Sequence, residues 1–149
     1  MSELVRTASC RCGQLKAECV GEPVRVSVCH CLDCQKRTGS AFAAQARWPD
    51  DRVTITGEGK TWVRTADSGR HASYRFCPHC GSTVSYVIEA WPGVVAIPLG
   101  AFADSSFPSP RFSVYEHRKH NWVALLGDEI ERSSTPNAGA ASPSNVNQT

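Results

Sequence analysis

The stretch Cys29-His30-Cys31-Leu32-Asp33-Cys34-Gln35-Lys36-Arg37-Thr38-Gly39-Ser40 packs three thiols into six residues. Cys31 and Cys34 form a Cys-x-x-Cys knuckle, and Cys29 stands two positions upstream, on the same side of an extended approach as Cys31. Such spacing brings three sulfurs to one tetrahedral ion and leaves a fourth position open, the pattern of a catalytic zinc site. A fold pinned by metal is the expectation, with the chemistry at Cys29, Cys31 and Cys34.

Working outward, the other cysteines sort themselves by spacing. The chain of 149 residues has eight, and seven fall into three close groups: Cys10 with Cys12, the triad, and Cys77 with Cys80. Disulfide frameworks rarely use such adjacent pairs. A knuckle normally sends both sulfurs to one ion. Cys10-Arg11-Cys12-Gly13 and Cys77-Pro78-His79-Cys80-Gly81 therefore make a four-cysteine structural site, which closes a long loop and contributes folding free energy. The triad keeps three ligands, and the chain is expected to hold two zinc ions. In the competing partition Cys19 or His30 supplies a fourth ligand and both ions are structural. His30, between two ligands, should point away from their ion, and Cys19 belongs to an apolar row. His79 reads as a solvent-facing or supporting residue rather than a ligand.

The remaining pattern is that of strands. Residues 14–20 alternate, with Leu15, Ala17 and Cys19 on one side, and Val24, Val26 and Val28 deliver Cys29 from the end of another strand. Residues 40–48 put Phe42, Ala44, Ala46 and Trp48 on one face, with Gln45 and Arg47 on the other. Residues 60–65 and 71–76 read as a strand pair, followed by strands over 82–89 and 93–99. Residues 112–115 suit one more edge strand, and Trp122-Val123 a return to the core. No helical repeat of any length is present. Many short strands punctuated by Gly and Pro give an all-β sandwich or barrel. Residues 133–149 carry no charge and a single valine, so the expectation is one domain over 1–132 and a disordered tail over 133–149.

A formal net charge of +2, with the basic residues spread along the chain, argues against a nucleic-acid partner. The first nine residues lack the apolar run of a signal peptide, and no apolar segment reaches the roughly 18 residues of a membrane span. A soluble, cytoplasmic protein with reduced thiols and no membrane partner is expected.

Taken together, Cys10-Arg11-Cys12-Gly13, Cys29-His30-Cys31-x-x-Cys34 with Gly39-Ser40-Ala41-Phe42, and Phe76-Cys77-Pro78-His79-Cys80-Gly81-Ser82 resemble the glutathione-dependent formaldehyde-activating enzyme family. The similarity runs from Ser9 to Trp122, and the chain also resembles centromere protein V-type domains. The resemblance implies a zinc-pinned β-tent of antiparallel sheets. It also implies a structural zinc on Cys10, Cys12, Cys77 and Cys80 and a catalytic zinc on Cys29, Cys31 and Cys34. The activity implied is a carbon–sulfur lyase-type reaction that joins glutathione to formaldehyde.

The charge of the triad agrees with that chemistry. Three thiolates on Zn²⁺ leave a formal charge of −1, a poor activator of water but a good partner for a thiol, which is deprotonated on coordination. A small-molecule thiol and an aldehyde are thus the expected partners. Lys36 and Arg37 follow the triad directly. They read either as a solvated basic turn or as groups that steady the cluster and meet the carboxylates of glutathione. The competing class is a protein-binding module with two structural zincs, which an exposed apolar patch away from the triad would favour. Sulfurs sharing one tetrahedral ion should lie roughly 3.8 Å apart.

Overall fold

Alternating apolar and polar residues make strand the dominant element, and the computed structural model, which describes residues 3–135, contains eleven strands and one α-helix. β1 (Val5–Ser9), β2 (Lys16–Val20) and β5 (Val53–Thr56) form a small sheet in the order β1-β2-β5. The others are β3 (Arg25–Cys29), β4 (Ala43–Pro49), β6 (Lys60–Thr65), β7 (His71–Phe76), β8 (Thr83–Ile88), β9 (Val94–Pro98), β10 (Phe112–Val114) and β11 (Glu131–Arg132). They form an eight-stranded sheet in the order β11-β10-β3-β4-β9-β8-β7-β6. All pairings are antiparallel except those of β10, which runs parallel to both β3 and β11.

The small sheet covers one face of the large one. Ala8, Leu15, Ala17 and Cys19 meet Val26, Ala46, Trp48, Val84 and Ile97 there, with Phe102 and Phe107 closing the rim around Trp48. The expected row on β4 holds for Ala46 and Trp48, but the opposite row is buried too. Gln45 and Arg47 are 1% and 2% exposed, and neighbouring Arg25 and Ser27 are likewise buried. A central strand covered on both faces cannot show which side faces solvent by alternation alone.

A bulge redirects β8. Tyr74 pairs with Tyr86 and Arg75 with Ser85, yet Phe76 pairs with Thr83, so β8 holds one extra residue. Two residues apart, Val84 and Tyr86 would share a face; the bulge lets Val84 enter the inter-sheet core while Tyr86 joins Tyr74, Trp91 and Ala96 on the far face.

Three expectations need correction. A helix does form, α1 (Leu32–Thr38), too short to leave a periodic signature. Residues 112–114 are no edge strand: β10 lies between β3 and β11. Trp122 is 75% exposed, and only Val123 is buried. No reading of its residues anticipates β1: it has one buried side chain, Ala8, and hence no visible alternation. Of the expected tail, residues 136–149 lie outside the described residues. Ser133 donates to the Ser113 carbonyl and accepts from the Glu116 N–H. Among the described residues no helix is long and apolar enough to cross a membrane.

Candidate functional site

Two cysteine clusters could hold metal ions, and within each the sulfurs all lie within 4.8 Å of one another: Cys10, Cys12, Cys77 and Cys80, and separately Cys29, Cys31 and Cys34. The first cluster sits where β1 and β7 end, so it ties the small sheet to the large one. Its Cys10–Cys12 and Cys12–Cys77 sulfur separations of 3.5 and 3.7 Å match the spacing expected around one tetrahedral ion. Neutral donors surround it. The Leu15 N–H donates to Cys10 Sγ at 3.3 Å and the His79 N–H to Cys77 Sγ at 3.3 Å. Gln14 Nε2 donates to Cys77 Sγ at 2.9 Å and to the Glu58 carbonyl at 2.7 Å, while Gln14 Oε1 accepts from the Glu58 N–H at 2.8 Å. Gly57, at φ +102°, permits that approach; any Cβ there would run into the Gln14 carbonyl oxygen. Backbone donation from Ser82 leads the effects that bring the Cys80 thiol down to about 5. His79 is no ligand: its ring meets Glu58 Oε2 at 2.7 Å on the surface.

The triad is built differently. β3 delivers Cys29, and Cys31 caps α1, its sulfur accepting from the Cys34 N–H at 3.2 Å. Gly39 closes the helix in the left-handed conformation at φ 69°. A helix of seven residues is not stable alone. Asp33 holds it to Arg64 of β6 at 2.9 Å, and Gln35 Nε2 donates to the His30 carbonyl at 2.8 Å. All three thiols are buried. Hydrogen bonds from Cys29 and then Cys34 bring Cys31 down to about 3, and the same sharing, with burial, pushes Cys29 up. Thiol-only ligand sets of this kind suit a soft or borderline metal ion.

Neither alternative fourth ligand joins the triad. Cys19 is in the inter-sheet core, and His30 Nε2 turns to Ser113 Oγ at 2.9 Å. Lys36 and Arg37 part company. Lys36 is exposed, whereas the Arg37 guanidinium turns inward over the rings of Tyr74 and Tyr86, 5.2 and 5.0 Å from their centroids.

Residues the sequence did not single out complete this face. Strand register sets Arg25, Arg47, Ala96, Tyr86, Tyr74 and Trp62 side by side across six strands. Tyr115 packs partly buried against the triad, held at φ 56°, an uncommon conformation for an aromatic residue. Burial, with the charge of Cys29 next, raises its phenol pKa. The available signal was an arginine inside an apolar strand, Ala46-Arg47-Trp48, where a solvated cation would be out of place.

The family model for the glutathione-dependent formaldehyde-activating enzyme matches residues 5–118, and the chain belongs to that family. No curated protein sequence matches the chain. Among solved structures, the crystal structure of a Rhodobacter sphaeroides protein is similar at a TM-score of 0.50 and 18% identity. The match covers 64% of this chain and 85% of that one and shows a shared fold.

Proposed function

We propose that the chain adds a thiol such as glutathione to an aldehyde such as formaldehyde, with zinc in both clusters and the chemistry at Cys29, Cys31 and Cys34. The observation that carries this reading is the convergence of three buried thiols with no fourth protein ligand among the described residues. In the reaction RS–H + H₂C=O → RS–CH₂–OH, a carbon–sulfur bond forms, the carbonyl π bond breaks, and the proton ends on the new oxygen. Cys29, Cys31 and Cys34 would hold the catalytic zinc, which supplies deprotonation of an incoming thiol near neutral pH.

The chain's own residues do the rest. Helix α1 carries Cys34 and is capped by Cys31, so it orients two of the three sulfurs, and Arg37 turns from it over the tyrosine rings. Tyr115 packs against the triad and, its pKa raised by burial, stays protonated at neutral pH, so its phenol would be the nearby proton donor for the oxygen that becomes the hydroxyl. Cys10, Cys12, Cys77 and Cys80 would hold the structural zinc, joining the two sheets. The reverse reaction uses the same groups and is a carbon–sulfur lyase step.

Because thiols and formaldehyde also combine unaided, the test is exchange spectroscopy of glutathione and ¹³C-formaldehyde at equilibrium with zinc-loaded protein. Faster exchange with the protein, lost in Cys31→Ser, is expected. Exchange at the uncatalysed rate would contradict the reading. Exposed Trp122 and Leu126 keep a protein-binding module as the second reading, which that result would favour.

A further inference from the structure

The far face of the large sheet buries more positive charge than its side chains balance. Arg47 donates to Ser27 Oγ at 3.2 Å and lies 4.9 Å from the centre of the Trp91 ring. Neither Arg47 nor Arg37 forms an ion pair with a carboxylate among the described residues. Arg37 Nε is also buried without a hydrogen-bond partner there. The nearest acid on α1, Asp33, is taken by Arg64. Register places Arg25 directly opposite Arg47, a repulsive arrangement.

A buried guanidinium left without an anion is strongly disfavoured, so a counter-charge is required. Burial works against the Arg47 charge, and the groups that favour it are Tyr86, Cys29, Cys34 and Tyr74. Burial holds the Tyr86 phenol up at about 12 and raises that of Tyr74 as well, so both are neutral near pH 7. Arg47 bonds Ser27, two residues before Cys29 on the same side of β3, and Arg37 follows Cys34 on α1, so the counter-charge falls to the triad. Three thiolates with a divalent ion carry −1, whereas Arg37 and Arg47 carry +2, which leaves one positive charge over.

We infer that Arg37 and Arg47 make the open position of the triad selective for an anionic fourth ligand, a thiolate, over a neutral nitrogen or oxygen ligand. This rests on the reading that the triad binds a divalent metal with an exchangeable position. The incoming RS–H leaves its proton to solvent, the cluster becomes −2, and the two guanidinium groups match it. They act as specificity residues: they set the charge of what enters and form no bond to the reacting carbon.

The test is calorimetry of zinc-loaded protein with 2-mercaptoethanol, which carries no other charge, and with imidazole, each in two buffers of different ionisation enthalpy. Wild type is expected to favour the thiol and to release about one proton per site on binding it. Arg47→Met and Arg37→Met should each weaken the thiol by at least about tenfold, leave imidazole within about twofold, and so collapse the ratio. Arg47→Lys, which keeps the charge, should retain most of that ratio. Arg37, on the short helix, gives an answer even where Arg47→Met fails to fold. Equal losses for both ligands, or unchanged thiol affinity in a folded variant, would overturn the inference alone. A wild type that binds neither ligand would overturn the open-site reading and this inference with it.

Discussion

The two cysteine clusters are made of the same ligand atoms and differ in almost everything around them. The four-cysteine cluster is the more exposed, with Cys12 open to solvent, and neutral N–H groups from backbone and Gln14 surround it. The triad is buried throughout; Cys34 shares α1 with Arg37, and Arg47 bonds Ser27, two residues before Cys29. Exposure would mark the first as the reactive one. On the proposed reading, ligand number and charge say the opposite: four thiolates would complete a tetrahedron and join the two sheets, while three would leave a position near Arg37 and Arg47.

The comparison is broken most forcefully by mutation. Cys10→Ser should remove a ligand joining the sheets, and with it folding free energy of about 10 kcal/mol; thermal melts should show an unfolded or barely folded chain. Cys31→Ser should leave a cooperative melt and return thiol–aldehyde exchange to the uncatalysed rate. Similar unfolding by both variants would erase the distinction and favour two structural ions. At an intermediate level, Gln14→Ala deletes the bonds to Cys77 Sγ and the Glu58 carbonyl. A loss of about 1–3 kcal/mol is expected, with faster loss of metal to a chelator and unchanged thiol binding at the triad. Weaker thiol binding in Gln14→Ala would show that the clusters are coupled.

The smallest effect belongs to the helix surface. Lys36→Glu, at an exposed site, should change stability by less than about 0.5 kcal/mol. If it meets a glutathione carboxylate, it should weaken glutathione and spare a neutral thiol, and by less than Arg37→Glu does. A Lys36 effect equal to that of Arg37 would place the glutathione carboxylates on the outer side of α1.

Much of this was legible from spacing. The division of cysteines by knuckles appears in space as two clusters, because a Cys-x-x-Cys turn constrains both its sulfurs locally. The β6–β7 pair falls at residues 60–65 and 71–76, where alternation places it. What stayed hidden depends on distant chain. Helix α1 exists because Cys31 caps it and Arg64 and His30 anchor it, and neither effect has a period. Alternation sets Arg47 on the face opposite Trp48, and nothing in residues 40–48 says that this face is buried as well, against Trp91. Trp122 looked buried because it is aromatic, yet its neighbours leave it in solvent.

The central claim, one filled metal site and one open one, is tested most directly by cobalt substitution. Thiolate-to-cobalt charge-transfer absorbance grows with each sulfur added, so the two sites report separately on their ligands. Wild type should bind one Co²⁺ per cluster, two in all, and glutathione should strengthen the absorbance by an increment that Cys31→Ser lacks. A wild-type spectrum unchanged at every glutathione concentration would mean that the triad is closed, and would contradict the account.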